Sequence, residues 1–165
     1  LFEVKKCAPR AFLAEKAVVI TDEKKILDKL KEGDFKPRQE VILEEYLQLP
    51  AESADAKASA IHADTRKTAE TVQILAYTPN KVVIKATVSK KPKFLVLTDT
   101  YYPGWKALVD GKVKKILKAD YIFRAVYLEP GTHVVQFVYD PSSFKIGIFV
   151  TLATIAIIVL LTFIL

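Results

Sequence analysis

The last twenty residues, Ile146 to Leu165, contain no charged side chain, and every Asp, Glu, Lys and Arg lies at or before Lys145. Coiled as a helix, this run is about 30 Å long, the thickness of a bilayer's hydrocarbon core. Its many β-branched residues are no obstacle there, because lipid offers the backbone no competing hydrogen-bond partner. A buried core helix of the same length would need other helices to cover it all round, and the rest of the sequence holds none long enough. The chain is therefore expected to join a charged globular part to one transmembrane helix, residues 144–165, with the lipid bilayer as a partner. Gly147, Thr151 and Thr154 form a stripe of small residues that could pack against other membrane helices.

The part before the helix has room for one modest core. Met is absent from all 165 residues. The opening run Leu1-Phe2-Glu3-Val4-Lys5-Lys6 lacks the apolar stretch and small-residue cleavage site of a signal peptide. The chain is thus expected to be a segment of something longer. The net charge of +6 is not concentrated on one motif. The clusters Lys90-Lys91-Pro92-Lys93 and Lys112-Val113-Lys114-Lys115 read as solvated turns and as edge-strand lysines that discourage strand addition. No nucleic-acid partner is expected. Cys7 is alone, so an internal disulfide is excluded; it reads as a small hydrophobe or a bystander.

Residues 10–20 read as one apolar strand. Thr21 is the expected N-cap of a helix with Asp22 and Glu23 in its first turn and Ile26, Leu27 and Leu30 on its apolar face. Gly33 suits a left-handed helix stop. Val41-Ile42-Leu43 completes a strand–helix–strand segment, residues 1–49. Small and polar residues over 50–70 predict a linker. From Thr71 the period becomes two, with Val72, Ile74 and Ala76 on one face, then Val82, Ile84, Ala86 and Val88. Phe94 to Leu97 is an apolar central strand. Asp110-Gly111 is a two-residue hairpin turn between Trp105–Val109 and Lys112–Leu117. Tyr121–Leu128 and Val134–Tyr139 follow. The predicted fold class is mainly β (α+β): the small segment, an antiparallel β-sandwich over 71–143, and the membrane helix.

No Gly-rich phosphate loop, paired-carboxylate motif or Ser-His-Asp pattern is present, so no catalytic residue, metal ligand or cofactor site is assigned. His62 and His133 show no ligand spacing, and His133 reads as a structural histidine. Asp110 reads as the first residue of a type I′ turn. Trp105, after the tight Pro103-Gly104 turn, is expected in the core. Tyr101, Tyr102, Trp105 and Arg124 are the candidate glycan or interface contacts, the three aromatics because amphipathic rings suit both sugar faces and the bilayer interface. Arg124 lies between apolar neighbours and needs a partner if buried; Asp99 is the expected one, the alternative being an anion bound there.

From Asp99-Thr100-Tyr101-Tyr102-Pro103-Gly104-Trp105-Lys106, through Val109-Asp110-Gly111-Lys112 and Ala119-Asp120-Tyr121-Ile122-Phe123-Arg124, to Phe137-Val138-Tyr139-Asp140-Pro141 before the helix, the chain resembles the C-terminal part of the YfhO family. Pro9-Arg10-Ala11-Phe12 and Pro37-Arg38-Gln39-Glu40 fit the same family. The resemblance implies a polytopic bacterial membrane protein with an extracytoplasmic domain before its last helix, and upstream membrane helices that this chain lacks. It further implies likeness to integral-membrane glycosyltransferases that use lipid-linked sugars on cell-envelope polymers. Their acidic catalytic residues lie in loops outside this chain. The expected role is an accessory domain; the alternatives are a binding module for an envelope glycan or protein, or a structural cap on a transporter-like bundle.

Overall fold

A computed structural model describes residues 9–33, 35–46 and 69–164. Cys7, His62 and most of the expected linker fall outside the described residues. Alternation with period two yields eleven strands here: β1 (Ala11–Ala14), β2 (Lys16–Val19), β3 (Glu40–Leu43), β4 (Thr71–Thr78), β5 (Lys81–Val88), β6 (Lys93–Leu97), β7 (Trp105–Val109), β8 (Lys112–Lys114), β9 (Leu117–Ala119), β10 (Phe123–Leu128) and β11 (Gly131–Tyr139). The helices are α1 (Glu23–Lys31) and α2 (Ser142–Ile164). One sheet runs β1-β6-β10-β9-β3-β2 and the other β4-β5-β11-β7-β8. All pairings are antiparallel except β2 with β3, which α1 connects as a crossover. The mainly β fold with a C-terminal apolar helix is as expected.

The expected single strand over 10–20 breaks at Glu15. β1 pairs with β6 at one edge of its sheet, and β2 pairs with β3 at the other. Only one residue separates them, so the two edges must meet; the six-stranded sheet curls until β2 lies against β6. The curl has its own interior, built from Phe12, Ala14, Val41, Leu43, Val96, Leu117, Ala119 and Ala125. Alternate residues of the same strands, Ala11, Leu95, Leu97, Val126 and Leu128, face the second sheet and meet Val82, Ile84, Val135 and Phe137. Burial on both faces is why Phe94–Leu97 reads as an unbroken apolar run.

Several local expectations are corrected. The N-cap of α1 is Asp22, not Thr21: its carboxylate accepts from the N–H groups of Lys24 and Lys25 at 2.9 and 3.1 Å. Of the three apolar residues expected on its buried face, only Ile26 is buried. Gly33 is not left-handed; the helix stops where Glu32 turns extended while its N–H still reaches Asp28 and Lys29. In β4, a bulge between Ile74 and Ala76 turns Ala76 outward and pairs Tyr77 with core-facing Val82. Lys112–Leu117 is not one strand: β8 is the edge of the second sheet, and the chain then crosses to supply β9 to the first. Lys93 is not solvated but buried between Glu15 (2.9 Å) and Glu70 (2.8 Å). Burial works to lower its pKa, yet the two carboxylates outweigh it and hold it above the ordinary lysine value.

Asp110 and Gly111 are both left-handed, giving the expected type I′ turn. The Asp110 carboxylate accepts from the Val134 N–H at 2.8 Å and meets His133 Nδ1 at 2.6 Å, while Nε2 lies 3.0 Å from the Glu129 carbonyl. His133 is thus a satisfied structural histidine. A second left-handed pair, Asp120-Tyr121, turns β9 into β10 where a continuous strand from Tyr121 was expected. Asp120 is buried and binds β3: its Oδ1 accepts from the Ile42 N–H, and its own N–H donates to the Ile42 carbonyl, both at 2.8 Å.

Burial pushes the Asp120 carboxyl up to about 6, against the Ile42 N–H, which lowers it, and with Glu40 adding to the rise. The folded state therefore holds this proton longer than the unfolded chain, whose value is about 3.9. On this group's account, stability is highest below about pH 4 and declines as pH rises to about 6. Asp120→Asn keeps the acceptor and tolerates the left-handed backbone. In unfolding scans of the full chain in detergent, wild type should lose stability relative to Asp120→Asn across that window; parallel profiles would contradict the assignment.

Candidate functional site: a cleft at the membrane end of the sheets

Strand directions place one end of both sheets beside α2. Tyr139 closes β11 three residues before Ser142, and its register partner Trp105 opens β7. The same end carries Asn80 from the β4–β5 turn, Asp99 from the exit of β6, Arg10 from the entry to β1, and Arg124 near the start of β10. α2 has 23 residues, a mean hydropathy of 2.7 over its most apolar 18-residue stretch, and no residue buried against the sheets. Its length and composition suit a membrane span.

Among the described residues Arg124 is the largest fully buried side chain, at 2% exposure. Its register partner is Leu97, so its side chain enters the space between the sheets. There the guanidinium lies 3.9 Å from the centre of the Trp105 ring and 5.4 Å from that of Phe137. Its Nη2 donates to Asp99 Oδ2 at 2.9 Å, the expected ion pair. Nε and Nη1 have no hydrogen-bond partner. Burial lowers the Arg124 pKa, and the Asp99 charge works against that fall, so the group stays charged. The Tyr77 hydroxyl is 3.1 Å from each Asp99 oxygen, with the Arg10 guanidinium 4.5 Å from the Tyr77 ring centre. Burial, then the Asp99 carboxylate, raises the Tyr77 pKa.

Arg124, Trp105, Asp99 and Tyr77 line a cleft of 570 Å³, together with Tyr102, Asn80, Thr100 and Tyr139. Tyr102 is 60% exposed. Tyr101 is exposed but does not line the cleft; its N–H is held by the Ile122 carbonyl. Trp105 is half-buried, with Arg124 stacked on it and Tyr139 tilted against it at 5.4 Å. The sequence did not single out Arg10, Tyr77, Asn80 or Tyr139. Tyr77 is the instructive case, since only the bulge in β4 turns it inward. Among the described residues, no three His, Cys, Asp or Glu side chains gather to hold a metal ion.

The cleft is fixed to the helix by the Pro103-Gly104 turn. Gly104 has φ +100°, and a Cβ there would meet Tyr139 Cε2 at 3.0 Å and Pro141 Cβ at 3.1 Å. Its carbonyl accepts from the Asp140 N–H at 2.8 Å. Asp140 in turn holds Lys106 and Lys145, each at 2.7 Å. Those lysines draw its carboxyl down to about 2. Gly111 has a similar backbone but open space around it. Gly111→Ala should therefore cost only about 1 kcal/mol of backbone strain, and Gly104→Ala about 2–4 kcal/mol from strain plus overpacking. Chemical unfolding of the two variants measures the difference, and equal losses would contradict the packed turn.

The model of the family described as bacterial membrane protein YfhO matches residues 50–151. The protein YfhO of Bacillus subtilis (strain 168) is 30% identical over 81 residues, covering 49% of this chain and 9% of that protein. This chain therefore spans only a small part of its relative's length. No solved structure matches it. The family match covers more than half of the sequence and takes in the cleft-forming segment Asp99–Trp105, Arg124 and the first turns of α2: the chain belongs to the YfhO family of bacterial membrane proteins.

Proposed function

We propose that this chain is an accessory β-domain, with its adjoining membrane helix, of a larger protein that transfers sugars from lipid carriers to cell-envelope polymers. The β-domain stands on the extracytoplasmic side, and the reacting carboxylates lie in other parts of the protein. The observation that carries this reading is the position of the cleft. Tyr102, Trp105 and Arg124 converge where the sheets meet the spanning helix, the level at which the head of a lipid carrier leaves the bilayer. The support for sugar chemistry itself is family analogy.

In this role the cleft positions and the membrane core reacts. Purified residues 1–165 should not turn over a lipid-linked sugar. In the full-length protein, deleting residues 71–143 should cut sugar transfer per molecule by about a hundredfold, the scale of a lost positioning contact. Turnover by this chain alone would overturn the proposal. So would unchanged activity per molecule with reduced abundance, the behaviour of a structural cap.

A further inference from the structure

At the end of the domain away from α2, His133 joins two turns. It stands on β11 with Ala86 of β5 as its register partner, and 17% of its side chain is exposed. Its Nδ1 lies 2.6 Å from Asp110 Oδ2 in the β7–β8 turn, and its Nε2 lies 3.0 Å from the Glu129 carbonyl oxygen in the β10–β11 turn. Gly131 leaves room for the ring, since a Cβ there would come within 3.4 Å of Nε2. Rotating the ring by half a turn would set C–H groups against both oxygens, so its orientation is fixed from two sides.

Both of these partners are acceptors. A carbonyl oxygen never donates, and an ionised carboxylate only accepts. Asp110 is ionised: the hydrogen bond to His133, then that from the Val134 N–H, holds its carboxyl below the usual carboxylate range. A neutral imidazole carries one N–H and can serve only one of the two oxygens. Its other nitrogen would then turn a lone pair toward an oxygen. Only the imidazolium donates to both at once. The charged groups about the ring are Asp110, Lys112 of β8, which acts on Asp110, and Glu129 in the second turn. β5 presents only uncharged, buried Ala86 and Val88 to this part of β11.

We infer that His133 is a proton-operated clasp between the β7–β8 and β10–β11 turns, closed when its imidazole is protonated. The neutral ring keeps its remaining proton on Nδ1, facing the charged acceptor, and releases the Glu129 carbonyl. The β10–β11 turn is then held only by its own strands. The clasp therefore stabilises the far end in acid, and that stabilisation is lost as pH rises and the ring gives up its proton. Histidine is the side chain whose charge ordinarily changes between about pH 5 and 8. The Asp140 clamp at the opposite end stays ionised throughout that range, its carboxyl being drawn down to about 2. The device is thus confined to the far end, and it does not depend on sugar transfer.

The chain has two histidines, His62 and His133, so His62→Gln leaves one ring to observe. Nitrogen-15 NMR of that full chain in dodecyl maltoside micelles reads the ring's charge and tautomer directly, from about pH 5 to about pH 8. The expected result is an imidazolium at the acid end and a neutral ring protonated on Nδ1 at the other, whereas free histidine prefers Nε2. Backbone order parameters at Gly131 and Thr132 should fall from about 0.85 toward about 0.6 as the ring deprotonates. Asp110→Asn keeps an Asn-Gly pair, a favoured type I′ sequence, and removes the charge. In that variant the ring should lose its proton about one pH unit lower, and the unchanged amide spectrum of the sheets shows that it folds. A ring that keeps one charge state throughout, a neutral ring protonated on Nε2, an identical titration in Asp110→Asn, or a β10–β11 turn equally ordered in both states would each overturn the inference.

Discussion

A guanidinium buried between two sheets organises the membrane end of this domain. β10 presents Arg124, Val126 and Leu128 to the second sheet, and the register that buries the two aliphatic residues buries the charge as well. An unpaired charge there would cost several kcal/mol. Three elements meet it: Asp99 from the exit of β6 forms the ion pair, Trp105 from the start of β7 stacks on it, and Phe137 from β11 completes the apolar wall. Arg124 thereby links both sheets at one point. From Trp105 the contacts continue through Tyr139 and the Gly104 turn to Pro141, where α2 begins. The direction in which the helix leaves the domain follows from this chain of packed groups.

The two ends of the domain differ in their physical chemistry. The far end is tied by the ion pairs of Lys93 with Glu15 and Glu70 and by the hydrogen bond between Asp110 and His133. The membrane end combines aromatic rings, long cationic side chains and an Asn-bearing turn, groups that suit the boundary between water and lipid. The Asp140 clamp belongs to that boundary. Its depressed pKa keeps the carboxylate ionised across the neutral range, so its stabilisation is present above about pH 4 and is lost only as pH falls toward 2. The junction between sheet and helix is electrostatically constant under ordinary conditions.

Much of this was legible in the sequence because it rests on local patterns. The spanning helix follows from an uncharged run, the Asp110-Gly111 hairpin from turn chemistry, and the apolar β6 from burial on both faces. Arg124 was readable as a charge requiring a partner, and Asp99 as that partner. What was not legible depends on distant pairing. Ala11–Val19 looks like one strand, because nothing local says that its halves join opposite edges of a curled sheet. Lys93 looks like a surface lysine, because Glu15 and Glu70 reach it only through the fold. The bulge at Leu75 carries no Gly or Pro to announce it, so Tyr77, which holds Asp99 in place, reads as an outward residue. Of the four residues proposed as contacts, three meet in the cleft; Tyr101 differs from its neighbour Tyr102 only in which way the loop turns it.

The central claim is that the Arg124–Trp105 cleft lies at the level of the bilayer surface, and the depth of Trp105 tests it most directly. With the full chain in phosphatidylcholine vesicles, lipids brominated near the headgroup end of their chains should quench Trp105 clearly more than lipids brominated near the bilayer centre. Quenching by dissolved iodide with no response to either brominated lipid would place the cleft away from the membrane and contradict the account.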